Sequence, residues 1–370
     1  MIQKKYTSRF WKRFFKKKLA LISLGVILIT VLISIFAYPL STDKNADANT
    51  LILEIGTRPM GFSCFLLKKK LNDSISKKSV IDFLFFGNEI AYNYIPVKNY
   101  SIKEDSIFYE KIIDENLFEK ESKSLSFFAK KDCSIEAFKK SNIEKRTFLL
   151  GTDRFGRDLF SRLLLGSRVS IAVGLIAVFI SIFIGVLLGS FSAYYGGWVD
   201  SLIMWLINVV WAIPTLLLVF AITMALGKGF WIIFIAVGLT MWVGTARLIR
   251  GQVLSLKELE YIQAAKVLGY SNARIILKHI LPNIIGPTVV MAASNFATAI
   301  LIEAGLSFLG IGVQPPTPSW GLMIKENYNF IITNRPMLAI IPGLAIMFLV
   351  LAFNLLGNGL RDALDVKEKV

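Results

Sequence analysis

Few side chains in this sequence are equipped for covalent chemistry. The 370 residues include one histidine and two cysteines. His279 alone can build neither a metal site nor a catalytic triad, because each needs several convergent partners. No GxxxxGK[ST] loop is present to cradle a nucleotide's phosphates, and Gly227-Lys228-Gly229 lacks the preceding spacing. No catalytic residue, metal or cofactor is therefore expected, and any nucleotide hydrolysis belongs to another chain. The spacing that stands out is mechanical. Between Leu256 and Asn283, the residues Leu259, Ile262, Ala265 and Leu268 recur at helical intervals and mark one apolar side. Gly269 should end that helix, and Ser271 or Asn272 can cap a second one running to His279. Pro282 then precedes a long apolar run. Two short helices at a bend, with small Ala264 and Ala265 on one of them, make a compact knob. Such a knob suits a groove on another protein, or it lies as an amphipathic hairpin on a membrane surface.

The elements that must carry this knob are membrane helices. Apolar residues make up 54% of the chain and charged residues 18%, against about 45–50% and 25% in soluble domains. That composition excludes disorder, and two cysteines in so long a chain exclude a disulfide scaffold. A bilayer core of about 30 Å needs roughly 20 apolar residues in a helix. Six runs qualify: 19–38, 169–194, 202–225, 230–248, 284–311 and 337–356. The first is preceded by eight cations (Lys4, Lys5, Arg9, Lys12, Arg13, Lys16, Lys17 and Lys18) and lacks a small-residue cleavage site, so it reads as a retained anchor. Net charge is 42 − 26 = +16, but the cations cluster in that tail and between Arg247 and Lys278. This pattern follows the positive-inside tendency, with both termini cytoplasmic, and no nucleic-acid binding is expected.

Residues 41–150 carry both signs of charge and read as a small α+β lobe outside the membrane. Val80–Phe86 and Ile90–Val97 have strand-like composition, and Ser134–Lys145 reads as a helix. Cys64 and Cys133 both lie there; an oxidising compartment permits a bridge, and two unpaired thiols fit equally well. At the lobe's end, Asp153 can cap an interfacial helix over 151–168. Its Phe155, Leu159, Leu163 and Leu164 would face lipid, with Arg154, Asp158 and Arg162 on the other side. Glu303 sits inside the fifth run, where an ionised group costs several kcal/mol unless it meets water or a partner. It reads as a polar point on a path across the membrane or as a buried carboxyl bonded to Ser307. Pro214 and Pro342 should kink or start their helices, Pro315, Pro316 and Pro318 forbid regular helix after span five, and Gly185 and Gly189 suit close helix packing.

Gln263-Ala264-Ala265 followed by Gly269, then Leu281-Pro282, resembles the EAA signature of ABC importer permeases, with Gln263 in place of the usual Glu and His279 in place of the usual Ile. GTDRFGRDLFSRLLLGSRVS from Gly151, LSFLGIGVQPPTPSWG from Leu306 and NLLGNGLRDALD from Asn354 resemble the C-type subunit of the dipeptide/oligopeptide branch. The resemblance covers about 148–365 and the N-terminal anchor.

It implies an all-α polytopic protein of the type I importer permease fold, with six transmembrane helices and the α+β lobe as an extracytoplasmic insertion. The expected divisions are a basic tail (1–18), an anchor (19–40), the lobe (41–150), the interfacial helix (151–168), a five-helix core (169–360) with a coupling loop at 249–283, and a tail (361–370). The resemblance also implies that Glu260, Gln263, Ala264, Ala265, Gly269, Leu281 and Pro282 couple to an ATPase. Partners would be a homologous permease subunit, two cytoplasmic ATP-binding subunits, an extracytoplasmic solute-binding protein and the bilayer, in a bacterial inner membrane. The implied substrates are di- or oligopeptides, and nickel and glutathione permeases share these motifs. Two rival readings are a stand-alone secondary transporter or channel, against which Glu303 is essentially the one intramembrane charge, and a membrane-anchored scaffold built around the lobe.

Overall fold

The computed structural model describes residues 10–71, 79–128, 134–227, 229–333 and 335–364. Among these, five helices are long and apolar enough to cross a membrane, and a bent pair makes a sixth candidate if it is counted as one broken span. The five are α1 (Lys18–Ile35), α4 (Leu159–Tyr195), α7 (Phe230–Lys257), α10 (Leu281–Leu309) and α12 (Met337–Leu364). Pro214 divides the remaining run into α5 (Gly197–Trp211) and α6 (Thr215–Leu226), which meet at 93°. Proline removes an N–H and crowds the preceding turn, so the break falls where the sequence placed it.

Two compact units emerge. The first comprises residues 1–31, 170–314 and 344–370. Gly185 and Gly189 of α4 pack tightly against α7 within it. A Cβ at Gly189 would sit 2.4 Å from the Ala246 carbonyl oxygen, and one at Gly185 would sit 2.5 Å from Thr245 Cβ. Only glycine lets α4 and α7 approach so closely. Asn295 of α10 donates to Ser181 and Thr245 in the same layer, at 3.1 and 3.0 Å.

The second unit, 32–169 and 315–343, contains the lobe. Five antiparallel strands are ordered β4-β3-β2-β1-β5: β1 (Phe62–Lys70), β2 (Tyr92–Lys103), β3 (Ser106–Ile112), β4 (Phe118–Ser124) and β5 (Ile143–Phe148). Leu67, Val97, Ile107 and Phe138 form one buried cluster on the sheet. Helix α3 (Ile135–Asn142) starts at Ser134, whose hydroxyl accepts from Ala137 N, and gives way at Ile143 to β5.

The strand expected over Val80–Phe86 is instead α2, a seven-residue helix. Gly87, at φ 62°, ends it, and Arg168 donates to its last carbonyls, those of Leu84 and Phe85. Cys133 lies outside the described residues, while Cys64 is a buried free thiol.

No separate helix covers 151–168. A tight turn occupies 151–158, with Asp153 Oδ1 accepting from the backbone N–H groups of Phe155 and Arg157. Helix begins at Leu159 and continues into α4. Leu159 and Leu164 are buried, not turned toward lipid. Gly156, at φ 70°, is required by this turn, since a Cβ there would meet the Ile52 carbonyl oxygen at 1.8 Å.

Candidate functional site

The bend begins where α7 ends at Lys257. Arg250, two turns earlier, makes a bidentate pair with Asp200 of α5 at 2.7 and 2.6 Å, and Ser192 of α4 also bonds Asp200. Lys257 Nζ donates to the Ala193 carbonyl at 3.1 Å. The entrance to the bend is therefore tied to two neighbouring helices by charge-assisted bonds.

Helix α8 (Glu260–Val267) follows. Its Ile262 and Ala265 enter a buried cluster with Ile249, Val253, Ile275, Ile280 and Ile284. The expected apolar face is split by this packing. Ile262 and Ala265 (4% exposed) are covered by the chain's own core, whereas Val267 and Leu268 overhang at 87% and 72% exposure. Among the residues expected to couple, Glu260, Gln263, Ala264, Gly269 and Pro282 are exposed, Leu281 is half-buried and Ala265 is inside. Gln263 Nε2 donates to the Lys257 carbonyl at 2.8 Å, bracing the start of the helix.

Gly269 ends α8 at φ 74°. Tyr270 N donates to the Ala265 carbonyl and Gly269 N to that of Lys266, the paired bonds of a Schellman turn. Ser271 caps α9 (Asn272–Ile275), accepting from Arg274 N. The second helix does not stop at His279. A π-turn over Ile276–Ile280 leads directly into α10, with Pro282 in its first turn. Proline has no N–H for the carbonyl four residues back, and the widened turn relieves its ring there. The second half of the bend and span five thus form one continuous rod, Asn272–Leu309. Tyr194 donates to Asn272 at 2.8 Å and ties that rod to α4.

Glu303 lies deep in α10 at 0% exposure. Ser307 Oγ donates to its Oε1 at 2.7 Å and accepts from Val313 N at 3.0 Å. The carboxyl therefore secures the turn after span five from within one chain.

Sequence reasoning missed a charged cluster in the second unit. Asp153 and Glu326, the latter on α11 (Trp320–Asn327), enclose Arg157 and Arg162. Arg157 donates to Asp153 at 2.6 Å and to Glu326 at 2.5 Å, and Arg162 reaches Glu326 at 3.4 Å. Arg162, expected on an exposed polar side, is fully buried. Its partner is 164 residues away, a distance invisible to helical spacing. The available signal was Glu326 itself, an acid two turns into the short helix opened by Ser319.

Comparison with known proteins gives the family. Residues 181–370 match the family described as binding-protein-dependent transport system inner membrane component, and residues 5–52 match the N-terminal TM domain of oligopeptide transport permease C. The dipeptide transport system permease protein DppC of Alkalihalophilus pseudofirmus is 45% identical over 59% of this chain and 72% of its own length. The glutathione transport system permease protein GsiD of Pectobacterium atrosepticum is 44% identical over 60% and 73%, and that of Escherichia coli O157:H7 is 47% identical over 59% and 72%. Among solved structures, a chain of an inward-facing MetNI methionine ABC transporter is similar at TM-score 0.46 and 17% identity, over 55% of this chain and 97% of that one. More than half of the sequence and a relative aligned over most of its length converge, and the chain belongs to the family of inner-membrane components of binding-protein-dependent transport systems.

Proposed function

We propose that this non-catalytic ABC importer permease subunit carries di- or oligopeptides inward, and that its bend at 249–283 receives the movement of a separate ATPase. The observation that carries the coupling assignment is the overhang of Val267 and Leu268 on a base anchored by Ile262 and Ala265. Exposed apolar side chains on a braced support suit a partner's groove, and a rigid rod into α10 conveys displacement to the spans. Ala265 serves as the seat of α8, while Glu260, Gln263, Ala264 and Gly269 belong to the exposed surface that meets the partner. Glu303 supports the wall of the path from behind.

In this reading a homologous permease subunit supplies the other half of the path, two ATP-binding subunits act from the cytoplasm, and a solute-binding protein delivers substrate outside. Both termini are cytoplasmic and the lobe is extracytoplasmic, as the basic tail and basic bend favour. A cysteine at Ser271 should then label only from the cytoplasm and one at Ser124 only from outside. Opposite accessibility would refute that topology.

The relatives at 44–47% identity that bear the glutathione name support a second substrate reading. Uptake into proteoliposomes containing the whole transporter decides between dipeptide and glutathione. Val267→Asp and Leu268→Asp should leave the chain inserted but lower ATPase retention and substrate-stimulated hydrolysis at least tenfold. Normal retention and uptake in both variants would overturn the coupling assignment.

A further inference from the structure

The NLLGNGLRDALD segment on α12 has two sides. Its glycines pack inward. A Cβ at Gly359 would lie 2.3 Å from Ala20 Cβ of α1, and one at Gly357 would lie 3.4 Å from Ala293 Cβ of α10. Asn354, Asn358 and Arg361 follow at i, i+4 and i+7, so they share one helical face. That face opens into a cleft of about 560 Å³, which is also lined by Gln252 of α7 and Ser294 of α10.

The cleft's chemistry is selective. Three side-chain amides and one guanidinium converge there, and no acidic residue lines it among the described residues. Asp362, the nearest acid along the helix, is engaged by Lys17 at 3.0 Å. Among the described residues, the side chains of Gln252, Asn354, Asn358 and Arg361 have no hydrogen-bond partner. Amides present both donors and acceptors, which match a peptide group whatever its side chains. A guanidinium pairs with a carboxylate through two parallel bonds. The volume falls within the range of small-ligand sites. A transition-metal ion does not suit this lining, which contains no His, Cys, Asp or Glu among the described residues.

We infer that this cleft is a binding station for the C-terminal carboxylate and main chain of a short peptide, with Arg361 holding the carboxylate and Asn354, Asn358 and Gln252 the amide groups. This deepens the peptide-import reading and rests on it. Gln252 lies five residues before α7 ends, and Pro287, on the opposite wall, lies six residues into α10. The station thus sits at the bend end of the spans, where movement of the bend would alter it.

The test uses the whole transporter in lipid nanodiscs, without the solute-binding protein, carrying p-benzoylphenylalanine at Leu248 on the cleft's edge. Irradiation with a radiolabelled dipeptide should label this chain, and the C-terminally amidated dipeptide should label it about tenfold less, a change of the size of one charge-assisted bond. Arg361→Gln should lower labelling by the free acid to the level of the amide, and Arg361→Lys should recover part of it. If Arg361→Gln fails to assemble, Asn358→Ala replaces it and should weaken both ligands alike. Absence of peptide labelling in the otherwise unaltered transporter, or equal labelling of acid and amide, would overturn the station. Peptide import is read separately, by proteoliposome uptake with the binding protein present. Uptake without labelling rejects the cleft alone, while absence of peptide uptake rejects the substrate reading.

Discussion

Two signature-bearing turns handle their side chains in opposite ways. Around 153–162, most of the charged residues are inside: Asp153, Arg157 and Arg162 are buried, and Glu326 closes the set. Around 259–269, some of the most apolar residues are outside, with Val267 and Leu268 left uncovered while Ile262 and Ala265 hold the base. Both turns use a positive-φ glycine and a hydroxyl or carboxyl cap, so local sequence rules describe them equally well. Their difference lies in what is lost when one side chain is cut back. A buried charge network loses stability, because a remaining charge stays without compensation in a dry site. An overhanging apolar tip loses an interaction with something else.

The largest effect should come from the buried network. Glu326→Ala leaves Arg157 with Asp153 and strips Arg162 of its nearer carboxylate, 3.4 Å away, leaving one at 3.8 Å. Breaking such a network costs about 3–5 kcal/mol. A marked fall in melting temperature of the purified transporter is expected, with Glu326→Gln retaining part of the stability. If Glu326→Ala melts like the unaltered chain, the turn at 153–162 is no internal strut and the contrast collapses.

The bend itself supplies the next test, because inside and outside are neighbours on α8. Ala265→Trp forces a large ring into a filled cluster and should cost about 1–3 kcal/mol or more from overpacking. Gly269→Val should cost ~1–3 kcal/mol for a different reason. Space around a Cβ is open there, but φ is 74°, which a β-branched residue rarely adopts. Gly269→Asn should cost less than Gly269→Val, since asparagine tolerates that conformation. Thermal melting alongside ATPase retention separates these from changes at Leu268, which should spare stability. Equal loss of stability at Leu268 and Ala265 would erase the distinction between seat and tip.

Much of this organisation was legible because apolar run length and helical period are local properties. The six runs, the break at Pro214, the close approach at Gly185 and Gly189, the end of α8 and the start of α9 all depend on residues within a turn or two. The failures involve covering by distant chain. Val80–Phe86 has the aromatic and β-branched density of a strand, yet α2 is fixed by the turn at Gly87 and by Arg168, 83 residues beyond Phe85. Ala265 and Leu268 have the same helical phase, but Ile249 and Ile275 reach only the first. At the candidate site, the motif located the bend and its Gly269, while the outward residues Val267 and Leu268 needed the packed structure to be found. Arg162 was misplaced because its partner Glu326 belongs to another element.

The lobe tests the interval between these extremes. Glu144 on β5 is partly exposed and pairs with Lys68 at 2.7 Å and Arg146 at 2.9 Å. Burial pushes its carboxyl up, but the hydrogen bond and charge of Arg146, followed by those of Lys68, outweigh burial and hold it below the ordinary glutamate value of 4.5. A depressed carboxylate stabilises the folded state above its unfolded value, and that contribution disappears as pH falls through the lower folded value. Glu144→Gln should therefore cost something at pH 7 and nothing once the pH lies below the folded value, where the native carboxyl is protonated as well. With solvent near the pair, the neutral-pH cost should be of order 1 kcal/mol or less and should shrink in high salt. Melting of the unaltered and Glu144→Gln transporters at both pH values and two ionic strengths measures it. A cost as large as that of Glu326→Ala, or one indifferent to salt, would place Glu144 with the buried network and leave partial exposure without the graded effect expected of it.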